Sequence, residues 1–143
     1  MGYPDPASEI AILKDRQGAN PLNDVKQVVD GKDIVMMQAE TDNLHMDDAI
    51  IEYITMLSFA TRQNPLIELG VSPRGSIALA GMSKAKAYIS GRTYVTPEDV
   101  QSIFKDVAGH RIILNPRAKI SSVTIDEVID NIFRTVPVPR AMR

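Results

Sequence analysis

At several points along this chain a residue suited to capping a helix stands directly before a proline, as in Asp5-Pro6, Ser72-Pro73 and Thr96-Pro97. The cap's side-chain oxygen accepts from a free backbone N–H, and proline, with no N–H of its own, suits the first helical position. Such punctuation commits the chain to short helices with defined starts. Asp5-Pro6 opens a helix with Ile10 and Leu13 on one face and Lys14 and Arg16 near its end, broken by Gly18 to Pro21. VKQVV then reads as an extended piece, and Asp30 as the cap of a helix to about Thr41 whose first turn is weakened by Gly31 and Asp33. Asp47 caps a helix over about 48–62, with Met46 and Ile51 placed as a hydrophobic staple and Ile50, Tyr53, Ile54 and Leu57 on one stripe.

The helix after Ser72-Pro73 runs to about Ser90 and stops at Gly91, with Ala78, Met82, Ala85 and Ile89 as its stripe and small residues at Ala80 and Gly81. Thr96 opens the cleanest period in the chain, Val100, Ile103, Phe104, Val107 and Ala108, ended by Gly109. Arg111 to Leu114 is β-branched and closed by Asn115-Pro116, which favours an extended segment near 111–114. Thr124 or a neighbour opens a last helix through Ile125, Val128, Ile129, Ile132 and Phe133, and VPVPR cannot continue it. The expected fold is mostly α, a compact helical bundle of about five or six short helices.

At 143 residues, 44% hydrophobic and 24% charged, the chain suits one domain over 1–143. It contains no apolar run near the roughly 18 residues of a membrane span, no secretory leader pattern and no cysteine, so a cytoplasmic location without membrane association is expected. The net charge of -2 hides an asymmetry: residues 71–120 carry three acidic and eight basic side chains, whereas 1–70 carry twelve and five. A local cationic excess attracts phosphate, nucleic acid or an acidic protein surface, and is also found on faces that bind nothing.

Most catalytic chemistry fails on inventory. His45 and His110 stand apart, without the spacing that brings two imidazoles to one metal, so no metal site is expected and both read as structural. Asp47-Asp48 and Glu98-Asp99 lie at helix starts, where capping accounts for them. Neither GxxxxGK[ST] nor GxGxxG occurs, which argues against a self-sufficient nucleotide hydrolase.

GVSPRGS, residues 70–76, is the anomaly. Ser72 caps and Pro73 takes the first position, so Arg74 falls in the first turn, at the positive end of the helix dipole. A cation there costs a few tenths to about 1 kcal/mol, and Gly75 costs roughly another 1 kcal/mol of helix propensity. Both penalties make sense if an anion binds: helix-start N–H groups already attract one, Arg74 adds a forked donor, and Gly75 lets a ligand or backbone approach. The simpler alternative is that Arg74 pairs with Glu68 or reaches into water.

GVSPRGSIALAGMSKAKAYISGRTYVTPEDVQSIFKDVAGHRIIL resembles the C-terminal lid of MoxR-type AAA+ ATPases, whose pattern joins G-x-S-P-R, a helix ending in G-R, a Y-V-T-P-E-D-V helix start and an H-R. GYPDP resembles the junction leaving the ATPase core, with 1–4 as that junction; HMDDAIIEYI resembles the second major lid helix, and VPVP the usual close before an extended tail at 136–143. DGKD at 30–33 is more polar than the family's usual helix start. The resemblance implies that Arg74 is the sensor 2 arginine, reaching the phosphates of ATP held by an upstream core, with Ser72, Pro73 and Gly75 shaping the phosphate-facing helix start. It further implies that Mg enters only through that core and that ATP hydrolysis belongs to the parent protein, this segment being inactive alone. The implied partners are the core itself, neighbouring subunits of a hexameric ring and a von Willebrand factor A domain protein, in a chaperone-like remodelling or maturation step.

Two other classes stay open on the residues. A helical DNA-binding domain would use the basic middle and the consecutive helices over 73–90 and 97–109. Against it, GRTYV exceeds the roughly 3 or 4 residues of a helix-turn-helix connection, and the second helix offers Glu98, Asp99, Gln101, Lys105 and Asp106 to solvent, a poor surface for duplex phosphate. A protein-interaction bundle with no nucleotide role is the third.

Overall fold

The computed structural model describes residues 2–17 and 20–139 and divides into two units, the first ending at Val35 and the second beginning at Met36. In the first, α1 spans Pro6–Asp15, and the Asp5 carboxylate accepts from Ser8 N–H at 2.9 Å as expected of its cap. Gly18, where a break was expected, lies outside the described residues; Asn20 then caps a 3-10 turn over Pro21–Asp24. VKQVV pairs with no strand among the described residues. α2 spans Gly31–Asp42 across the unit boundary. Its first turn is firmer than its glycine implies, because Asp30 accepts from Lys32 and Asp33 N–H while Asp33 accepts from Asp30 N–H.

The second unit is built on three helices: α3 (Asp48–Gln63), α4 (Pro73–Ile89) and α5 (Pro97–Ala108). Strand β1 (Ile67–Leu69) follows α3, and β2 (Ile113–Leu114) follows α5 and a 3-10 turn at Gly109–Arg111. The strands pair antiparallel, Ile67 with Leu114 and Leu69 with Ile113, with an irregularity between. They close a ribbon between the chain leaving α3 and the chain leaving α5. α6 (Pro116–Ile120) and α7 (Ile125–Thr135) complete the unit, making seven α-helices among the described residues. Residues 136–139 leave the helical path, and 140–143 of the expected tail lie outside the described residues.

The core lies where α3, α4, α5 and α7 meet around Leu57, Leu79, Val100, Phe104, Ile129 and Ile132. Phe104 meets Phe133 edge to face with ring centroids 5.4 Å apart. The stripes expected for α3, α5 and α7 point inward. Of the stripe expected for α4, Ala78 packs against the core but Met82 and Ile89 do not. Gly75, Leu79, Ser83 and Ala87 form its buried side, all but Leu79 small enough to let α5 approach closely, and Ser83 remains buried because its hydroxyl donates to Leu79 O at 2.8 Å. Met82 and Ile89 instead lie exposed, as does Ile77, at 50%, 82% and 73%.

One further difference, and one helix end that falls where it was expected, have local causes. Asn115-Pro116 closes the extended segment and also opens α6, the Asn115 side chain accepting from Ala118 N–H at 3.0 Å. Gly91 ends α4 at φ +72°, and Gly91 N–H to Tyr88 O with Arg92 N–H to Ala87 O satisfies the last carbonyls. From there Arg92 folds back on α5, gripping buried Asp99 through both guanidinium η nitrogens, with Nη1 2.6 Å from Oδ2.

Candidate functional site

The site is assembled by the end of α3, the loop 70–72 and the start of α4. Ser72 Oγ accepts from Gly75 N–H at 3.3 Å, and Pro73 occupies the first helical position. Arg74 comes next, exposed, with no hydrogen bond or ion pair from its side chain among the described residues. Glu68, its candidate partner, does not pair with it. Gly75 has a packing reason: a Cβ there would come within 2.6 Å of Val71 Cγ1 and 3.4 Å of Arg111 Cδ, so the space above it holds Val71 and the stem of Arg111. The four expected residues thus stand together, three shaping the helix start and one projecting from it.

The basic middle divides once its side chains are placed. Arg92 is held by Asp99, Lys84 donates to Asp42 O at 2.7 Å, Arg111 donates to Val107 O, and Lys105 pairs with Asp126. Arg74, Lys86, Arg117 and Lys119 keep their cationic groups unbonded among the described residues. Two of these sit at helix starts, Arg117 in the five-residue α6 and Arg74 in the seventeen-residue α4, and it is at the start of the long helix that free N–H groups add to the cation's field. The corner fits an anion. It does not fit a metal, since no group of three or more His, Asp or Glu side chains converges among the described residues. His45 sits in the chain, pairing through its backbone with the 93–95 segment, and His110 Nδ1 lies 3.0 Å from Asp106 O.

Reading residues in isolation misses what holds this corner. Thr61 Oγ1 accepts from Val71 N–H at 2.9 Å, the Arg62 guanidinium donates from Nε to Val71 O at 2.7 Å, and Ser76 Oγ donates to Ser58 Oγ at 2.9 Å. No spacing rule links 61 to 71, so these partners emerge only from the fold. Asp99 was legible as a cap residue, but its Arg92 partner was not. Burial works against the Asp99 charge, and is outweighed by the Arg92 hydrogen bonds, the Thr96 N–H and hydroxyl, and the Arg92 charge; the carboxyl is held below the ordinary 3.8.

The AAA lid domain family model matches residues 59–132, which include α4, α5 and the Arg74 corner. The uncharacterized protein YeaC of Bacillus subtilis (strain 168) is 37% identical over 139 residues, covering 97% of this chain and 43% of that protein. Chaperone MoxR1 of Mycobacterium tuberculosis (strain ATCC 25618 / H37Rv) is 30% identical over 149 residues, covering 98% and 39%. A crystal structure from Cytophaga hutchinsonii ATCC 33406, described as a candidate ATPase, superposes with a TM-score of 0.86 at 28% identity over 98% of this chain and 45% of that one. The chain therefore spans less than half the length of these relatives. By the family match and these relatives, the chain belongs to the AAA lid domain family, as the lid of a MoxR-type AAA+ ATPase.

Proposed function

We propose that Arg74 is the sensor 2 arginine of this lid, donating to the phosphates of ATP held by an upstream core and coupling nucleotide state to lid movement. The observation that carries this is the contrast at the start of α4: a backbone fixed on both sides of Arg74 and a guanidinium with no partner among the described residues. ATP supplies the phosphoanhydride energy, and this chain supplies the donor that reads its terminal charge. Ser72 caps the helix, Pro73 presets its first turn, and Gly75 lets the turn close on Val71. Mg belongs to the core in this reading, as does hydrolysis.

The exposed side of α4 supports a domain docked over the same face. Arg74, Gly81 and Ile89 lie exposed on one side at helical spacing, so a partner reached by Arg74 also meets Ile89. Burying a large apolar side chain fully contributes about 1.5–3 kcal/mol, which favours occupancy of that face. We take the intact protein to be a cytoplasmic, hexameric ring serving a chaperone-like step on a von Willebrand factor A domain partner, in line with a relative named as a chaperone. A DNA-binding role has less charge to draw on, since Lys84, Arg92 and Arg111 are engaged within the fold.

Hydrogen exchange on the intact ATPase tests the docking. Amides over 72–76 should exchange at least about threefold more slowly with a non-hydrolysed ATP analogue than with ADP, because charge-assisted contacts at a helix start order its first turn. Equal exchange in the two states contradicts the proposal.

A further inference from the structure

We infer that Thr61 and Arg62 are positioning residues for Arg74, a step that rests on the nucleotide-facing reading of that arginine. Adjacent in the last turn of α3, they take hold of one residue, Val71, by both its peptide groups: the Thr61 hydroxyl accepts its N–H at 2.9 Å and the Arg62 Nε donates to its C=O at 2.7 Å. The Thr61 hydroxyl also donates to Ser58 O at 2.6 Å, so its direction is set from the helix as well as from the loop. Thr61 and Ser58 have no exposed surface, and Val71 is 1% exposed.

The fastening continues on each side of Val71. A Cβ at Gly70 would lie 2.8 Å from Arg62 N and Thr61 C, so only glycine permits the loop to run this close to the α3 backbone. Beyond Arg74, Ser76 joins Ser58 hydroxyl to hydroxyl at 2.9 Å. Residues 70, 71 and 76 are thereby tied to one end of α3, and Arg74 projects from between them with no side-chain bond among the described residues. A flexible arginine side chain reaches a phosphate productively only from a fixed origin, since small displacements weaken directional contacts steeply. Apolar packing alone would hold the loop against α3. The hydroxyl and guanidinium add direction, fixing where along α3 the turn into α4 begins.

A double-mutant cycle on ATP turnover by the intact ATPase tests this, with Thr61→Val, Thr61→Ser and Arg62→Gln each made alone and with Arg74→Ala. Thr61→Val keeps the side-chain shape and removes the hydroxyl; Arg62 is exposed, so Arg62→Gln keeps the test available if the buried variant fails to fold. Thr61→Val and Arg62→Gln should each lower kcat by about three- to tenfold, Thr61→Ser should stay within about twofold of wild type, and in the Arg74→Ala background each change should shrink below about twofold. A merely structural role, or a direct Arg62 contact to nucleotide, predicts losses that persist without Arg74, and that result overturns the assignment. If Arg74→Ala alone turns over at the wild-type rate, the sensor reading fails first and the positioning role fails with it.

Discussion

Arg74→Ala lowers kcat/KM for ATP by about 10- to 100-fold in the intact ATPase while leaving the lid folded. The magnitude follows from the contact being removed: a hydrogen bond to a charged group contributes about 1.5–3 kcal/mol, and each 1.4 kcal/mol is a factor of ten in rate. The folded lid should be unaffected, because the side chain is exposed and bonds to nothing among the described residues. Removing a cation from the positive end of α4 should stabilise that helix by a few tenths of a kcal/mol. Reduced turnover with an unchanged or slightly raised Tm is therefore expected, and a variant that loses activity by unfolding would show the opposite sign in Tm. Arg74→Lys recovers charge without the planar fork and should recover only part of the rate.

Asp99→Ala has the largest stability effect we expect, a loss of about 2–4 kcal/mol read as a drop in Tm on the order of 10 °C or more. Asp99 is 3% exposed, accepts from Thr96 N–H at 2.8 Å to cap α5, and receives the Arg92 fork that turns the chain after Gly91. Its loss removes the cap and strands a half-buried guanidinium, whose partial exposure keeps the cost below that of a fully buried pair. The pair also contributes a pH dependence. Asp99 titrates lower folded than unfolded, so its stabilisation is complete above the ordinary carboxyl range and is lost as pH falls through the depressed folded value. Urea midpoints measured from pH 7 downward should fall more steeply below about pH 4 in wild type than in Asp99→Asn. Parallel acid limbs would show that the charge of Asp99 does not hold α5 to the chain after α4.

What could be read from residue order was the chemistry of helix starts. Asp5, Asp47 and Thr124 each accept from the first turn of the helix they precede, and Thr96 and Asp99 form a reciprocal cap, because capping depends on residues two or three apart. The buried side of α4 could not be read this way. Its members, Gly75, Leu79, Ser83 and Ala87, include only one large apolar residue, and Ser83 counts as core only after its hydroxyl finds Leu79 O. The apolar residues that looked like a core stripe, Met82 and Ile89, face outward, where Arg74 also lies. β1 and α6, at three and five residues, are too short to show a period.

The site followed the same division. Arg74 announced itself because a cation in the first turn and a glycine beside it both oppose helix formation. Thr61 and Arg62 carry no such signal, since a threonine and an arginine at a helix end are ordinary, and the bonds to Val71 arise only when β1 returns the chain to α3.

If Arg74 reads the terminal phosphate, it must discriminate between nucleotides at equilibrium. Equilibrium binding of a non-hydrolysed ATP analogue and of ADP to the intact ATPase, measured for wild type and Arg74→Ala, reads the terminal phosphate without involving turnover. Wild type should prefer the analogue over ADP by about tenfold or more, and Arg74→Ala should bind the two within about twofold of each other. An undiminished preference in Arg74→Ala would contradict the claim that this arginine reads the terminal phosphate.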